Sequence, residues 1–234
     1  MNTVLEAFDL NTFYDRSHIL FDVSFNIAAG ETVCLMGRNG VGKTTTFRSL
    51  MGLTPPKTGK IVFQGKTCTG FKPFRMARLG LGFVPEDRRI LGPFTVQENL
   101  ELGRIPGRTG HWDLDSVYRQ FPILADMTHR MGGTLSGGEQ QMLTIARTLM
   151  GNPEIVLLDE PSEGLAPKIL DQMVATIREL KAQGLTLLLS EQNLRFARMI
   201  ADRVVVIETG HVRWVGTMDA FGKDREAQNR YLAA

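Results

Sequence analysis

The chain has 234 residues, enough for one large domain or two lobes around a sizeable core. It is 43% hydrophobic and 22% charged, with a formal net charge of +2 and no long run of one sign, so nothing in the totals calls for a nucleic-acid partner. The two cysteines, Cys34 and Cys68, form no close pair, which excludes a disulfide scaffold and favours a reducing compartment. No secretory signal is expected at the N-terminus, and no apolar run approaches the roughly 20 residues that span a bilayer, so any membrane role is expected to be peripheral.

In chain order, "TVLEAFDL" and "ILFDVSFNI" alternate in part and predict two antiparallel strands. "ETVCLMG" predicts a fully buried strand running into a glycine-rich loop, with Cys34 as a small core residue. "VGKTTTFRSLMG" predicts a helix closed by Gly52. Further buried strands are predicted at "LGFVPE", "EIVLLDE", "LTLLLSE" and "RVVVIETG". In "PKILDQMVATIRELKAQG" the residues Ile169, Met173, Ile177 and Leu180 share one helical face, and Gly184 stops the helix. Residues 87–150 carry no strong strand signal; "TVQENLEL", "DLDSVYRQFPIL" and "GGEQQMLTIARTLM" predict helices there. Apolar strands alternating with helices predict an α/β sheet covered on both faces, interrupted by a helical insertion.

Three motifs carry chemistry. "GRNGVGKT", Gly37 to Thr44, follows a strand and precedes a helix, the context in which G-x-x-x-x-G-K-[ST] binds phosphate. Gly37, Arg38, Asn39, Gly40, Val41, Gly42, Lys43, Thr44 and Thr45 are therefore candidate ATP-binding residues. The glycines let backbone N–H groups wrap phosphate oxygens, Lys43 can reach the β- and γ-phosphates, and the Thr44 hydroxyl can ligate Mg²⁺. "IVLLDE" supplies Asp159 and Glu160 at a strand end, where open α/β sheets bind ligands. Neighbouring side chains on a strand diverge, so one carboxylate can hold Mg²⁺ while the other polarises a water as general base. In "LSGGEQQ", Ser136 and Glu139 have capping-box spacing ahead of an apolar-periodic helix, and Gly137 and Gly138 permit close approach by a phosphate. One nucleotide in one subunit hardly needs two such helix starts.

"GRNGVGKT", "LSGGEQQ" and "LLDEP", in this order and spacing, resemble the nucleotide-binding subunit of an ABC transporter over essentially the whole chain. The resemblance implies one ABC ATPase domain over residues 1–234: an α/β P-loop NTPase core of RecA-like type (about 1–86 and 151–234), an antiparallel β subdomain, and a helical subdomain (about 87–150). It implies ATP and Mg²⁺ as cofactors and a homo- or heterodimer with a second ABC ATPase subunit. Each ATP would lie between one phosphate loop and the other subunit's Ser136, Gly137, Gly138 and Glu139. It also implies that Tyr14 stacks on adenine, with Phe13 as the competing aromatic. Glu86 stands where the family has a glutamine that senses Mg²⁺ and the γ-phosphate, and Gln192 where it has a histidine that contacts the γ-phosphate. The metal set expected is then Thr44, Glu86 and Asp159, and the catalytic set Glu160, Gln192 and Lys43.

"VPEDRR", "DEPSEGLAP" and "SEQN" together resemble the F-type ATP-binding subunit of branched-chain amino acid importers, with urea, amide and aromatic-acid importers close behind. The partners this implies are integral membrane permease subunits, docking near residues 87–108, and indirectly a substrate-binding protein. The place implied is the cytoplasmic face of the inner membrane. The alternative is a non-transport ABC ATPase acting on a macromolecular complex.

Overall fold

A computed structural model describes residues 2–232. Two sheets are present. The first is antiparallel, in the order β2-β1-β4-β5, built from β1 (Thr3–Tyr14), β2 (Ser17–Ala28), β4 (Thr58–Phe63) and β5 (Lys66–Thr67). The second has six strands in the order β10-β9-β3-β8-β7-β6. Here β3 (Thr32–Met36), β6 (Leu81–Val84), β7 (Ile155–Asp159), β8 (Thr186–Glu191) and β9 (Arg203–Glu208) run parallel, and β10 (His211–Thr217) closes one edge antiparallel.

The parallel strands are apolar because both of their faces are covered. Along β3, Cys34 and Met36 join one core cluster and Val33 and Leu35 the other; along β7, Val156 and Leu158 alternate in the same way with Ile155 and Leu157. One cluster lies under helices α6 (Gly137–Leu149), α7 (Pro167–Ala182) and α8 (Leu194–Ile200); the other lies between this sheet, α1 (Lys43–Leu50) and the antiparallel sheet. Helix α7 starts with Pro167 at its first turn, buries Met173, Ile177 and Leu180, and is followed by Gly184 at φ 87.

Between β6 and β7 the chain forms α3 (Val96–Glu101), α4 (Leu114–Gln120), α5 (Pro122–Ala125), a 3-10 turn at Gly132–Thr134, and α6. The helix expected over "DLDSVYRQFPIL" is broken in two, because Pro122 holds Phe121 out of the helical region at φ −126, ψ 72. Seven strands and α-helices have no counterpart in the expectations from sequence: β4, β5, β10, α2 (Pro73–Leu79), α8, α9 (Met218–Lys223) and α10 (Arg225–Tyr231). Strand β4 starts with three exposed residues and ends with three buried ones, so it lacks both alternation and a continuous apolar run.

The strand order positions the site. Neighbouring β3, β8, β7 and β6 point the same way, so their carboxyl ends place the glycine-rich loop, Gln192, the Asp159–Glu160 pair and Glu86 side by side. From β3 the chain passes through the other sheet to the edge strand β6, returns by β7 to β8, and then crosses β3 to reach β9, so the strand order reverses beside β3, where such sheets bind ligands.

Candidate active site

The loop after β3 is shaped by glycines. Gly42 has φ 113, and a Cβ there would meet the Leu20 side chain at 2.7 Å. Gly40, at φ 77, faces open space. Lys43 then opens α1 and folds back over the loop, its ammonium donating to the carbonyls of Gly37 at 2.9 Å and Arg38 at 3.0 Å. Asn39, Gly40, Gly42, Lys43, Thr44, Thr45, Glu86, Glu160 and Glu163 line one cavity of about 260 Å³. Val41 sits beside it, its carbonyl accepting from Gly210 N–H at 2.9 Å. A larger open cleft of about 600 Å³, between residues 108–112 and 183–185, contains none of the motif residues.

Opposite the loop, the carboxylates of Asp159, which ends β7, and Glu160, which follows it, diverge as expected. Asp159 points to α1, where Thr44 Oγ1 donates to its Oδ1 at 3.2 Å, and Ser190 Oγ donates to the same oxygen at 2.6 Å. Burial pushes the Asp159 carboxyl up, against the pull of these two hydroxyls. Glu160 turns into the cavity from a left-handed backbone position, φ 45, in which a non-glycine residue is strained. Its N–H donates to Ser190 Oγ at 2.9 Å, so Ser190 orients both acids. One Glu160 oxygen faces Lys43 Nζ at 3.0 Å and the other accepts from Gln192 Nε2 at 3.0 Å.

The residues present fit a divalent cation. Thr44, Glu86 and Asp159 together line a second small cavity, and a hydroxyl with two carboxylates is a hard oxygen set. Among the described residues no group of three or more His, Cys, Asp or Glu could hold a metal, but Mg²⁺ commonly takes one or two carboxylates and completes its shell with water and substrate phosphate.

Of the other expected residues, Gly37, Arg38, Val41, Asp159 and Gln192 adjoin the lining residues without lining the cavity themselves, while Ser136–Glu139 and Tyr14 make none of the contacts described above. Ser136 caps α6 with a reciprocal box: its hydroxyl accepts from Glu139 N–H at 3.4 Å, and Glu139 Oε2 accepts from Ser136 N–H at 2.6 Å. Gly138 and Glu139 line a different groove, against α7. Tyr14 ends β1 opposite Ser17, 40% exposed and not among the cavity-lining residues. Phe13 is stacked on His18 with ring centroids 4.0 Å apart and lies beneath Lys57.

Ser190 and Glu163 enter the site without having been singled out in the sequence. Glu163 lines the cavity three residues after Glu160, and its carboxyl is pushed up by burial and then by hydrogen bonding to Glu160 and the charges of Glu160 and Glu86. The signal for Ser190 was its place at the end of an apolar strand, but only the pairing of Asp159 with Ser190 across β7 and β8 reveals its job.

A family model described as "ABC transporter" matches residues 20–163. The chain is 38% identical over 229 residues to the high-affinity branched-chain amino acid transport ATP-binding protein BraG of Pseudomonas aeruginosa, covering 97% of this chain and 98% of that protein. It is 30% identical over 233 residues to the lipopolysaccharide export system ATP-binding protein LptB of Escherichia coli K12, covering 97% and 96%. Among solved structures, a nucleotide-free ATP-binding cassette from an ABC transporter superposes with a TM-score of 0.84 at 26% identity, covering 98% of this chain and 97% of that one. A cassette in its ADP conformation gives 0.83 at 25% identity, covering 97% of each.

Proposed function

We propose that this chain, which belongs to the ABC transporter family, is the ATP-hydrolysing subunit of an importer for branched-chain amino acids or a related small polar solute. ATP hydrolysis is the characteristic activity of the family, and the fold is that of its cassettes. The observation that carries the mechanism is that the cavity-lining Glu160 is held by Lys43 on one oxygen and Gln192 on the other, beside the Thr44–Asp159 pair. The importer reading is supported by the likeness to BraG, at 38% identity against 30–32% for the export proteins.

In this reading the amides of residues 37–45 hold the β- and γ-phosphates, with the N-terminus of α1 favouring their charge. Lys43 exchanges its contact with Glu160 for phosphate oxygens. Glu160 then takes a proton from a water as the water oxygen attacks the γ-phosphorus, and ADP leaves with the electron pair of the broken P–O bond. Gln192 holds the far oxygen of Glu160 and has a second N–H for the γ-phosphate; as an amide it cannot exchange protons near neutral pH, so Glu160 carries that burden alone. Mg²⁺ at Thr44, Asp159 and Glu86, when bound, neutralises charge on the transferred group.

Ser136–Glu139 do not line the cavity of their own chain, which accords with service to the ATP of a second subunit, homo- or heterodimeric. Tyr14 stacks on the adenine. We read residues 87–150 as the helical subdomain and assign it the permease contact: Leu91, Phe94 and Met131 are 40%, 42% and 49% exposed, and a Thr95–Met131 β-bridge brings their segments together. No helix among the described residues is long and apolar enough to cross a membrane, so attachment to the cytoplasmic face would run through that contact. Co-expression with candidate permeases and uptake of radiolabelled leucine and urea into proteoliposomes tests the function. ATP-dependent leucine uptake supports it; retention on ribosomes or another macromolecular complex, with no permease bound, favours the non-transport alternative.

A further inference from the structure

Glu163 and Glu191 are acidic side chains near this site that take no part in the reaction above, and Glu191 is the more deeply buried. Glu191 ends β8 and is 1% exposed. An apolar residue would satisfy a buried strand end at no electrostatic cost, whereas burying a carboxylate disfavours its charged form. Burial pushes the Glu191 carboxyl up to about 7, with the charge of Glu160 adding to the effect and hydrogen bonds from Ser162 and Asn193 opposing it. Its other charged and titratable neighbours are weak compensation: the buried Cys34 thiol stays protonated, pushed up by burial and by Glu191 itself, and Lys43 is committed to Glu160.

The carboxylate geometry is specific. Oε1 accepts the N–H of Ser162 at 3.1 Å, and Oε2 accepts the N–H of Asn193 at 3.4 Å. Ser162 lies two residues beyond Glu160, in the loop that the strained Glu160 backbone begins. Asn193 lies one residue beyond Gln192 and caps α8 by accepting from Phe196 N–H at 3.1 Å. The carboxylate therefore bridges the loop bearing the base to the loop bearing its hydrogen-bond donor.

We propose that Glu191 is a positioning residue for ATP hydrolysis: its two oxygens tie the Ser162 and Asn193 backbones together and thereby hold Gln192 on Glu160. Two acceptor oxygens are needed because two separate N–H groups are served. Glutamine offers one acceptor and would turn an NH₂ toward the other donor. The inference rests on the assignment of Glu160 as general base, and the test separates the two.

The test compares kcat, KM for ATP and ADP affinity for wild type, Glu191→Gln, Glu160→Gln and the double variant of the full chain, with thermal melts at pH 8 to verify folding. The expected result is a roughly tenfold loss of kcat in Glu191→Gln with ADP affinity unchanged, and no further loss when the change is added to Glu160→Gln, since the residue acts through that side chain. An unchanged kcat, or the same fold-loss in both backgrounds, would overturn the proposal. Wild-type turnover by Glu160→Gln would instead remove the base assignment on which it rests. If Glu191→Gln does not fold, Glu191→Asp, which withdraws the carboxylate by one methylene while keeping its charge, carries the same comparison.

Discussion

Lys43 and Glu160 face each other as a buried ion pair, Nζ to Oε1 3.0 Å, with side chains only 3% and 7% exposed. The cation assigned to phosphate and the carboxylate assigned to water are thus partners of one another. Removing one member of a buried pair leaves the other charge uncompensated, a loss of about 3–5 kcal/mol when burial is complete. Lys43→Ala is expected to lower both ATP affinity and stability, and adding Glu160→Gln is expected to restore much of the stability but none of the affinity. Denaturant titration of the four proteins checks this. Strictly additive changes would show that the pair does not matter to the fold.

Gln192 reaches Glu160 with a single hydrogen bond of 3.0 Å from an exposed position. Hydrogen bonds to charged groups are worth about 1.5–3 kcal/mol, and exposure places this one at the lower end. Gln192→Ala is expected to reduce kcat about tenfold with ADP affinity retained, and Gln192→His to keep substantial activity with a new pH dependence near the imidazole pKa. Steady-state hydrolysis between pH 6 and 8.5 is the measurement. Wild-type rates in Gln192→Ala would reduce the side chain to a loop residue.

Exposed apolar side chains around the Thr95–Met131 bridge set up a third expectation. Leu91→Ser, Phe94→Ser and Met131→Ser should leave hydrolysis by the isolated chain within about twofold, because none of the three lines the cavity. The same variants should lose most ATP-driven uptake when reconstituted with a permease. Retained uptake would place the contact elsewhere.

The sequence made the site legible where chemistry is confined to short contiguous motifs. Gly37–Thr45, Asp159–Glu160 and Ser136–Glu139 each carry their own local geometry, a glycine turn, a strand end or a cap, so their placement follows from the motif. Ser190, Glu191 and Glu163 were not legible in the same way. What Ser190 does depends on the register of β8 against β7, and what Glu191 does depends on a loop 29 residues away. The fold shows the same division. The apolar runs of the continuously buried β7 and β8 were read directly, whereas β10, half-buried and exposed by turns at a sheet edge, has no apolar run to announce it. Likewise α9 and α10 are single short helices of six and seven residues with little periodicity to detect.

The raised Glu191 carboxyl has a consequence for stability as well as for rate. Its folded pKa is about 7 against an ordinary 4.5. The folded chain therefore holds a proton there that the unfolded chain releases, and this contribution is present at low pH and lost as pH rises through 7. The difference amounts to about 3 kcal/mol over that window. Glu191→Gln removes the titration, so its stability relative to wild type should increase from pH 5 to pH 8. Parallel stability curves for the two proteins would show that the carboxyl is not shifted.

Glu160 activates water for ATP hydrolysis in a cavity whose phosphate contacts come from other residues, so base and binding are separable by mutation. Single-turnover hydrolysis and nucleotide titration of Glu160→Gln beside wild type is the decisive measurement. General-base catalysis contributes about 10²–10⁴-fold, so a fall of that order in the hydrolysis rate with ATP affinity preserved is the result expected. Hydrolysis at the wild-type rate, or a loss explained wholly by weaker ATP binding, would show that Glu160 is not the base.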